Sequence, residues 1–214
     1  MSIVPYALPA LKFAHGDLAP VIDVRTMRLH PDLHHQAYID GRNAALAPYP
    51  QWHGLTIEDL LRRLEQVPAE IPQIVRNFGG GHPNHQFFWK ILTSHAAEEP
   101  SDDLAQALKR NFGSVDNFRK QFEAVGTQHF GLGWDFLVAN PADDFKLEIV
   151  SLPNQDSVLN IGRMGLLTCD LWEHAYYLKC QDRRSEWLHA WWQVVDWPTV
   201  PERMDKFRAA HRHA

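Results

Sequence analysis

The run Asp170-Leu171-Trp172-Glu173-His174-Ala175-Tyr176-Tyr177 sets a carboxylate and an imidazole four residues apart among aromatic side chains, and this most restricts how the chain can fold. An Asp and a neutral His together suit a borderline transition metal such as manganese, iron or zinc, and such an ion takes at least two more protein ligands. The fold must therefore bring side chains to this segment from elsewhere.

With 13 histidines in the chain, spacing has to select among them. His30, His34 and Tyr38 recur every four residues, so a helix puts them on one face. Inside that helix Pro31 lacks an N–H, and its ring meets the carbonyl of Met27, which predicts a kink or π-type bulge beside His30. Farther on, the glycine-rich turn Gly79-Gly80-Gly81 leads into His82-Pro83-Asn84-His85-Gln86-Phe87-Phe88-Trp89, where one or both histidines are candidate ligands. Each histidine alone reads better as a hydrogen-bonded or solvated imidazole than as a ligand, so the weight lies in the conjunction.

These motifs, in this order and spacing, resemble the iron/manganese superoxide dismutases, and the likeness covers nearly the whole chain. It runs from Tyr6-Ala7-Leu8-Pro9-Ala10-Leu11 through Asn84 to Trp89, Phe112-Gly113-Ser114, Gly131-Leu132-Gly133-Trp134 and Asn154-Gln155-Asp156-Ser157 to Val194-Val195-Asp196-Trp197. The octet from Asp170 to Tyr177 matches the family signature at every position.

The resemblance implies His30, His85, Asp170 and His174 as metal ligands, with His82 outside the set. It implies catalytic roles for Gln155, which would bond solvent at the ion, for Tyr38, which would link Gln155 to the substrate channel, and for His34, which would extend that relay. Gly81, Trp134, Trp172 and Phe88 would form the surrounding shell, and Arg183 would steer the anionic substrate. Across a homodimer interface Glu173 would reach the partner's His174 and Tyr177 the partner's His34. The cofactor implied is one manganese ion per subunit, iron being possible, because Gly81 and Gln155 follow the manganese pattern, in which the glutamine comes from the later segment. The activity implied is conversion of superoxide to dioxygen and hydrogen peroxide by a redox-cycling ion. Zinc with the same ligands would imply hydrolysis or structure instead, since zinc does not change oxidation state. The rival reading is an altered member serving as a structural or metal-binding dimer; retention of Gln155, Tyr38 and His34 argues against it. Departures from the family pattern occur at Pro31, Leu132, Phe136 and Asp196, none of them a ligand or relay group.

Periodicity places the elements. A helical pattern spans 19–47, Thr56 caps a helix over 57–66, and 71–78 and 84–95 read as a helix interrupted by the glycines. Ser101 and Ser114 cap two helices flanking Gly113, with Phe118, Phe122 and Val125 as the buried stripe of the second. The period then shortens: 134–139, 146–152 and 165–171 read as three mostly antiparallel strands, before a last helix over 174–195. The fold class expected is α+β, with an N-terminal helical hairpin domain (1–94), then a mixed domain with a three-stranded antiparallel sheet (95–214), the metal lying between them.

A net charge of −5 without a long basic run argues against nucleic acid, and no stretch suits a signal peptide or membrane span. Cys169 and Cys180 are too few for a disulfide scaffold and read as free thiols, Cys169 in the core, so a cytoplasmic location is expected.

Overall fold

The computed structural model describes residues 6–62 and 72–212. Asp23 opens α1 (Val24–Leu29) by accepting from the Thr26 amide. A π-helical turn, His30–His35, follows and passes into α2 (Gln36–Leu46). The bulge expected from Pro31 is therefore present, and Pro31 is buried within it. Thr56 caps α3 (Ile57–Arg62), its hydroxyl accepting from the Asp59 amide at 3.1 Å. The rest of the helix expected to residue 66, and Ile71, lie outside the described residues.

The glycines do not interrupt the next helix: α4 (Pro72–Lys90) runs through them and through Pro83, and stops short of the expected residue 95. Tertiary contact overrides local propensity here. A Cβ on Gly80 would stand 2.0 Å from the Gln155 carbonyl oxygen, and one on Gly81 2.5 Å from the Tyr38 ring. These glycines are what lets α4 pack closely against α2 and the 154–157 loop.

Helices α5 (Asp102–Phe112) and α6 (Val115–Gln128) are joined at Gly113, whose φ of 89° is the left-handed cap geometry glycine tolerates. Ser114 caps α6 as expected, whereas the Ser101 side chain makes no cap bond. Phe118 and Phe122 are buried, and the third fully buried position of α6 is Gly126 rather than Val125.

Strands β1 (Gly133–Asn140), β2 (Lys146–Pro153) and β3 (Met164–Asp170) form one antiparallel sheet in the order β2-β1-β3. The central strand is buried along its whole length, so β1 reads as a continuous apolar run broken by a single acid, Asp135. Helices α4, α6 and α8 (Arg184–Trp191) share one core with the sheet, built around Phe118, Phe122, Trp187, Trp191 and Trp197.

The chain after β3 departs from expectation. Instead of one helix over 174–195 there is a 3-10 turn at Glu173–Ala175, a short α7 (Tyr177–Cys180), a break at Gln181 with φ 53°, then α8 and a 3-10 turn at Trp192–Val194. A further helix, α9 (Thr199–Arg212), was not anticipated; Pro201 lies in its first turn, where a missing N–H costs nothing. Main-chain bonds from Thr93 to Val194 and from Asp196 to Ile91, both 2.8 Å, join the end of α4 to this segment.

Candidate metal centre

Three separate parts of the chain meet at one point. The π-turn supplies His30, α4 supplies His85, and the end of β3 with the following 3-10 turn supplies Asp170 and His174. One ligand atom from each of these four lies within 4.8 Å of the others. That is the scale set by metal bonds of about 2.1 Å. Asp170 Oδ2 is the hub: His30 Nε2 is 3.0 Å away, His174 Nε2 3.3 Å and His85 Nε2 3.7 Å.

The donor chemistry fits a metal. His30 Nε2 and His85 Nε2 are fully buried without a hydrogen-bond partner, a costly condition unless something else occupies their lone pairs. The Nδ1–H of His85 donates to the Gly81 carbonyl at 2.7 Å, one turn back on the same helix, which leaves Nε2 as the free donor atom towards the centre. Burial, aided by the neighbouring His174, lowers the pKa of His30 to about 4, and burial with His30 holds His85 well below its usual value. Both rings are therefore neutral near pH 7, the form that ligates. Burial alone would raise the Asp170 carboxyl, but the His174 and His30 rings pull its pKa far below the ordinary value and keep it ionised. Its Oδ1 accepts from the Trp172 amide at 2.8 Å, and the Nε1–H of Trp187 donates to its main-chain carbonyl at 2.8 Å, so the carboxylate is fixed from behind.

Around the four donors lies a second set of contacts. The amide of Gln155 spans two groups: Oε1 accepts from Trp134 Nε1 at 2.9 Å and Nε2 donates to the Tyr38 hydroxyl at 2.8 Å. Asn84 holds that loop, its amide donating to the carbonyls of Gln155 (3.3 Å) and Asp156 (3.1 Å). Trp134 and Phe88 meet edge-to-face, and each packs on a histidine of the cluster, Trp134 on His85 and Phe88 on His30. His34 stacks on the His174 ring at 4.4 Å, and Trp172 stacks on the same ring at 5.5 Å. His34 is tied to the site by that stack, and among the described residues no hydrogen bond joins it to Tyr38. His174 is 14% exposed while the other three donors are 1% or less, so the centre opens towards His34, Trp172 and His174.

Glu173 and Tyr177 are both exposed. Arg183 is exposed and paired with Glu186 at 2.8 Å. Arg184, beside it, donates to the Tyr176 hydroxyl and to the carbonyls of His129 and Gly131, bracing the octet.

Sequence reasoning passed over His35. Its Nε2 lies 2.8 Å from His82 Nδ1, both rings are buried, and its face stacks on His85 at 5.4 Å. His82, outside the donor cluster, thus clamps α4 to the π-turn. Burial, then the His82 charge, pulls His35 down to about 3, and burial, then Arg42, pulls His82 down to about 4. The available signal was the adjacent pair His34-His35 inside a turn already expected to bulge.

Comparison with known proteins agrees with this architecture. Residues 5–93 match the model of the iron/manganese superoxide dismutase alpha-hairpin domain, and residues 100–203 match that of the C-terminal domain. A manganese superoxide dismutase of Leptolyngbya boryana is 43% identical over 206 residues, covering 96% of this chain and 84% of its own. Those of Listeria innocua and Thermus thermophilus are each 42% identical, covering 94% of this chain and 98% of their own. With a buried three-histidine, one-aspartate cluster where both matched regions meet, the chain belongs to the iron/manganese superoxide dismutase family.

Proposed function

We propose that this protein is a superoxide dismutase, turning two superoxide ions and two protons into dioxygen and hydrogen peroxide, with His30, His85, Asp170 and His174 holding one manganese ion. When bound, the ion supplies the one-electron chemistry, accepting an electron from one superoxide and returning it to another. The carrying observation is the bond chain Trp134–Gln155–Tyr38 laid against four convergent donors. A site kept for structure or storage has no use for such a chain.

The residues of the chain divide the remaining work. Asp170 and the histidines fix donor directions, and Trp134 with Phe88 excludes water from the inner side. Gln155, held at both ends, keeps an amide fixed beside the centre, where outer-shell groups set affinity and activity by ~10 to 100-fold. Tyr38 holds its proton: burial, then the Asp170 charge, raises its pKa to about 12, against a smaller pull from Gln155. Its phenol is therefore a stable donor at the end of the chain. Manganese over iron is supported by Gly81, where any side chain would strike Tyr38, leaving Gln155 as the group that fills this space.

Homodimerisation through Glu173 and Tyr177 is supported by the exposure of both, with Tyr177 50% and Leu178 46% exposed on the same short helix. Steering by Arg183 is supported by its exposure and reduced by its Glu186 partner. A cytoplasmic location is supported by two free, buried cysteines; among the described residues no helix is long and apolar enough to cross a membrane. A division near residue 95 is supported by the start of a new helical pair after Pro100.

The test is to strip the purified protein of metal, reload it separately with manganese, iron and zinc, and measure occupancy and superoxide removal. Activity with manganese, and none with zinc at equal occupancy, is expected. Full occupancy with manganese and with iron but no superoxide removal would refute the reading.

A further inference from the structure

Away from the metal centre, a cavity of about 300 Å³ opens between α4, the β3 edge and α9. Its lining includes four cationic side chains, Lys90, Arg163, Arg203 and Lys206, and no carboxylate among the described residues. Such a concentration is unexpected on a chain whose net charge is −5. By contrast, a second cavity, beside α6, mixes Arg119 and Lys120 with Glu98, Glu99, Asp116 and Glu123, which is how an ordinary solvated surface balances itself.

Among the described residues only one of the four cations is answered by an acid: Arg163 meets Glu148 at 3.1 Å. Arg203 is the most telling of the others. Its Nε donates to the Gly165 carbonyl at 3.0 Å, and its guanidinium lies 3.9 Å above the Phe87 ring and 5.4 Å from the Phe207 ring. The guanidinium is thus held against the Phe87 ring, with Phe207 farther off and one N–H used on the main chain. Burial brings its pKa down to about 10, and no opposing acid acts on it. Cation–π contact holds a guanidinium in place without neutralising it. Lys90 and Lys206 are exposed at the rim, where their ammonium groups remain mobile point charges.

We propose that this cavity binds a small phosphate-bearing anion, seated on the Arg203 guanidinium and closed over by Lys90 and Lys206. A doubly charged group is preferred to a single carboxylate because three cations with no acidic partner among the described residues line one cavity, and a guanidinium edge with flanking ammonium groups matches phosphate oxygens. The cavity falls at the lower end of the usual ligand-site range, which suits free phosphate or a small monoester. The phenyl rings of Phe87 and Phe207 give an organic body something to pack on, so a monoester gains over the free ion. This site is independent of the metal and of the dismutase reading.

Calorimetric titration of the manganese-loaded protein in ~0.15 M sodium chloride, where surface attraction is screened within about 8 Å, tests it with inorganic phosphate and with phenyl phosphate. One site per chain is expected. The double variant K90E/K206E, altering two exposed side chains, should bind at least tenfold more weakly while keeping superoxide removal unchanged. Lys109→Glu, an exposed charge reversal on α5, should bind as the parent does. Lys206→Ala alone should lose threefold or more, which keeps the test open if the double variant folds poorly. Tighter binding of phenyl phosphate assigns the site to a monoester, and equal binding to free phosphate. No saturable binding of either, binding that survives K90E/K206E, or equal weakening by Lys109→Glu overturns the proposal.

Discussion

Asp135 sits in the centre of β1 with no exposed surface, and neither of its oxygens has a hydrogen-bond partner. In the sheet register it stands between Ser151 on β2 and Cys169 on β3, and its Oδ2 presses on α6 so closely that a Cβ on Gly126 would lie 2.1 Å from it. Burial raises its pKa from 3.8 to about 7, with the Ser151 hydroxyl and the Arg184 charge pulling back only in part. A carboxyl whose pKa is higher in the fold than in the unfolded chain stabilises the fold below pH 3.8 relative to its ionised form, and this is lost as pH rises to about 7. At about 1.4 kcal/mol per pH unit, the full cost of ionising the buried group is about 4 kcal/mol, of which roughly 1.4 kcal/mol is incurred between about pH 6 and pH 8.5. Asp135→Asn removes the titration but keeps the shape. Whatever fixed cost the amide carries, the difference in stability between variant and parent should move in favour of the variant by about 1 to 1.5 kcal/mol across that window. For a chain of this size that is a relative gain in melting temperature of roughly 3 to 6 °C, read by calorimetry on equally manganese-loaded samples. Melting temperatures of parent and variant that stay parallel across the window would show that Asp135 is already ionised or already neutral throughout, and would sink the argument.

Other perturbations report on the metal centre. Gln155→Leu strands the Trp134 N–H and the Tyr38 hydroxyl, so superoxide removal should fall ~10 to 100-fold while manganese content by elemental analysis stays the same; equal activity would remove Gln155 from the mechanism. Gly80→Ala sets a methyl against the Gln155 carbonyl at 2.0 Å, backbone that cannot rotate away, and should cost about 1 to 3 kcal/mol in denaturant titration; an unchanged midpoint would mean the close approach is not real. Gly81→Ala meets only the Tyr38 ring, which can turn, so it should lose activity more than stability, with the reverse order counting against the packing described. Removing the metal should lower the melting temperature, since ~4 kcal/mol is gained at 1,000 times the dissociation constant; zinc should restore stability without activity, and a chelator-insensitive melting temperature would contradict a preformed site.

What could be read from the sequence, and what could not, divides on whether the deciding contact was local. The strands were legible because short β-rich runs and the turn residues between them act within a few positions, and Ser114 and Gly113 cap and break helices through their own neighbours. The four donors were legible because chemistry limits which residue types can sit together. The glycines of α4 were misread as a break because their purpose lies 40 to 75 residues away, at Tyr38 and Gln155. Helix α9 and the cavity beside Arg203 were missed for the same reason, since Arg203 is held by Phe87 and Gly165 from distant elements. Asp135 was visible as the lone acid in an apolar run, but only the burial of both faces of β1 turns it from an edge residue into a titrating one.

The π-turn shows how a local defect becomes a functional device. In a regular helix His30, His34 and Tyr38 share a face and His35 turns aside. Widening one turn to i→i+5 lets both His34 and His35 flank His30. His34 then stacks on His174 at 4.4 Å, while His35 backs His85 at 5.4 Å and reaches His82 at 2.8 Å. A single bulge thereby supports two ligands contributed by other elements, at the cost of a helix broken where Pro31 already prevents its regular bonding. The conflict between Pro31 and its helix is thus resolved in favour of the metal centre: local irregularity is kept where it aims three histidines at once.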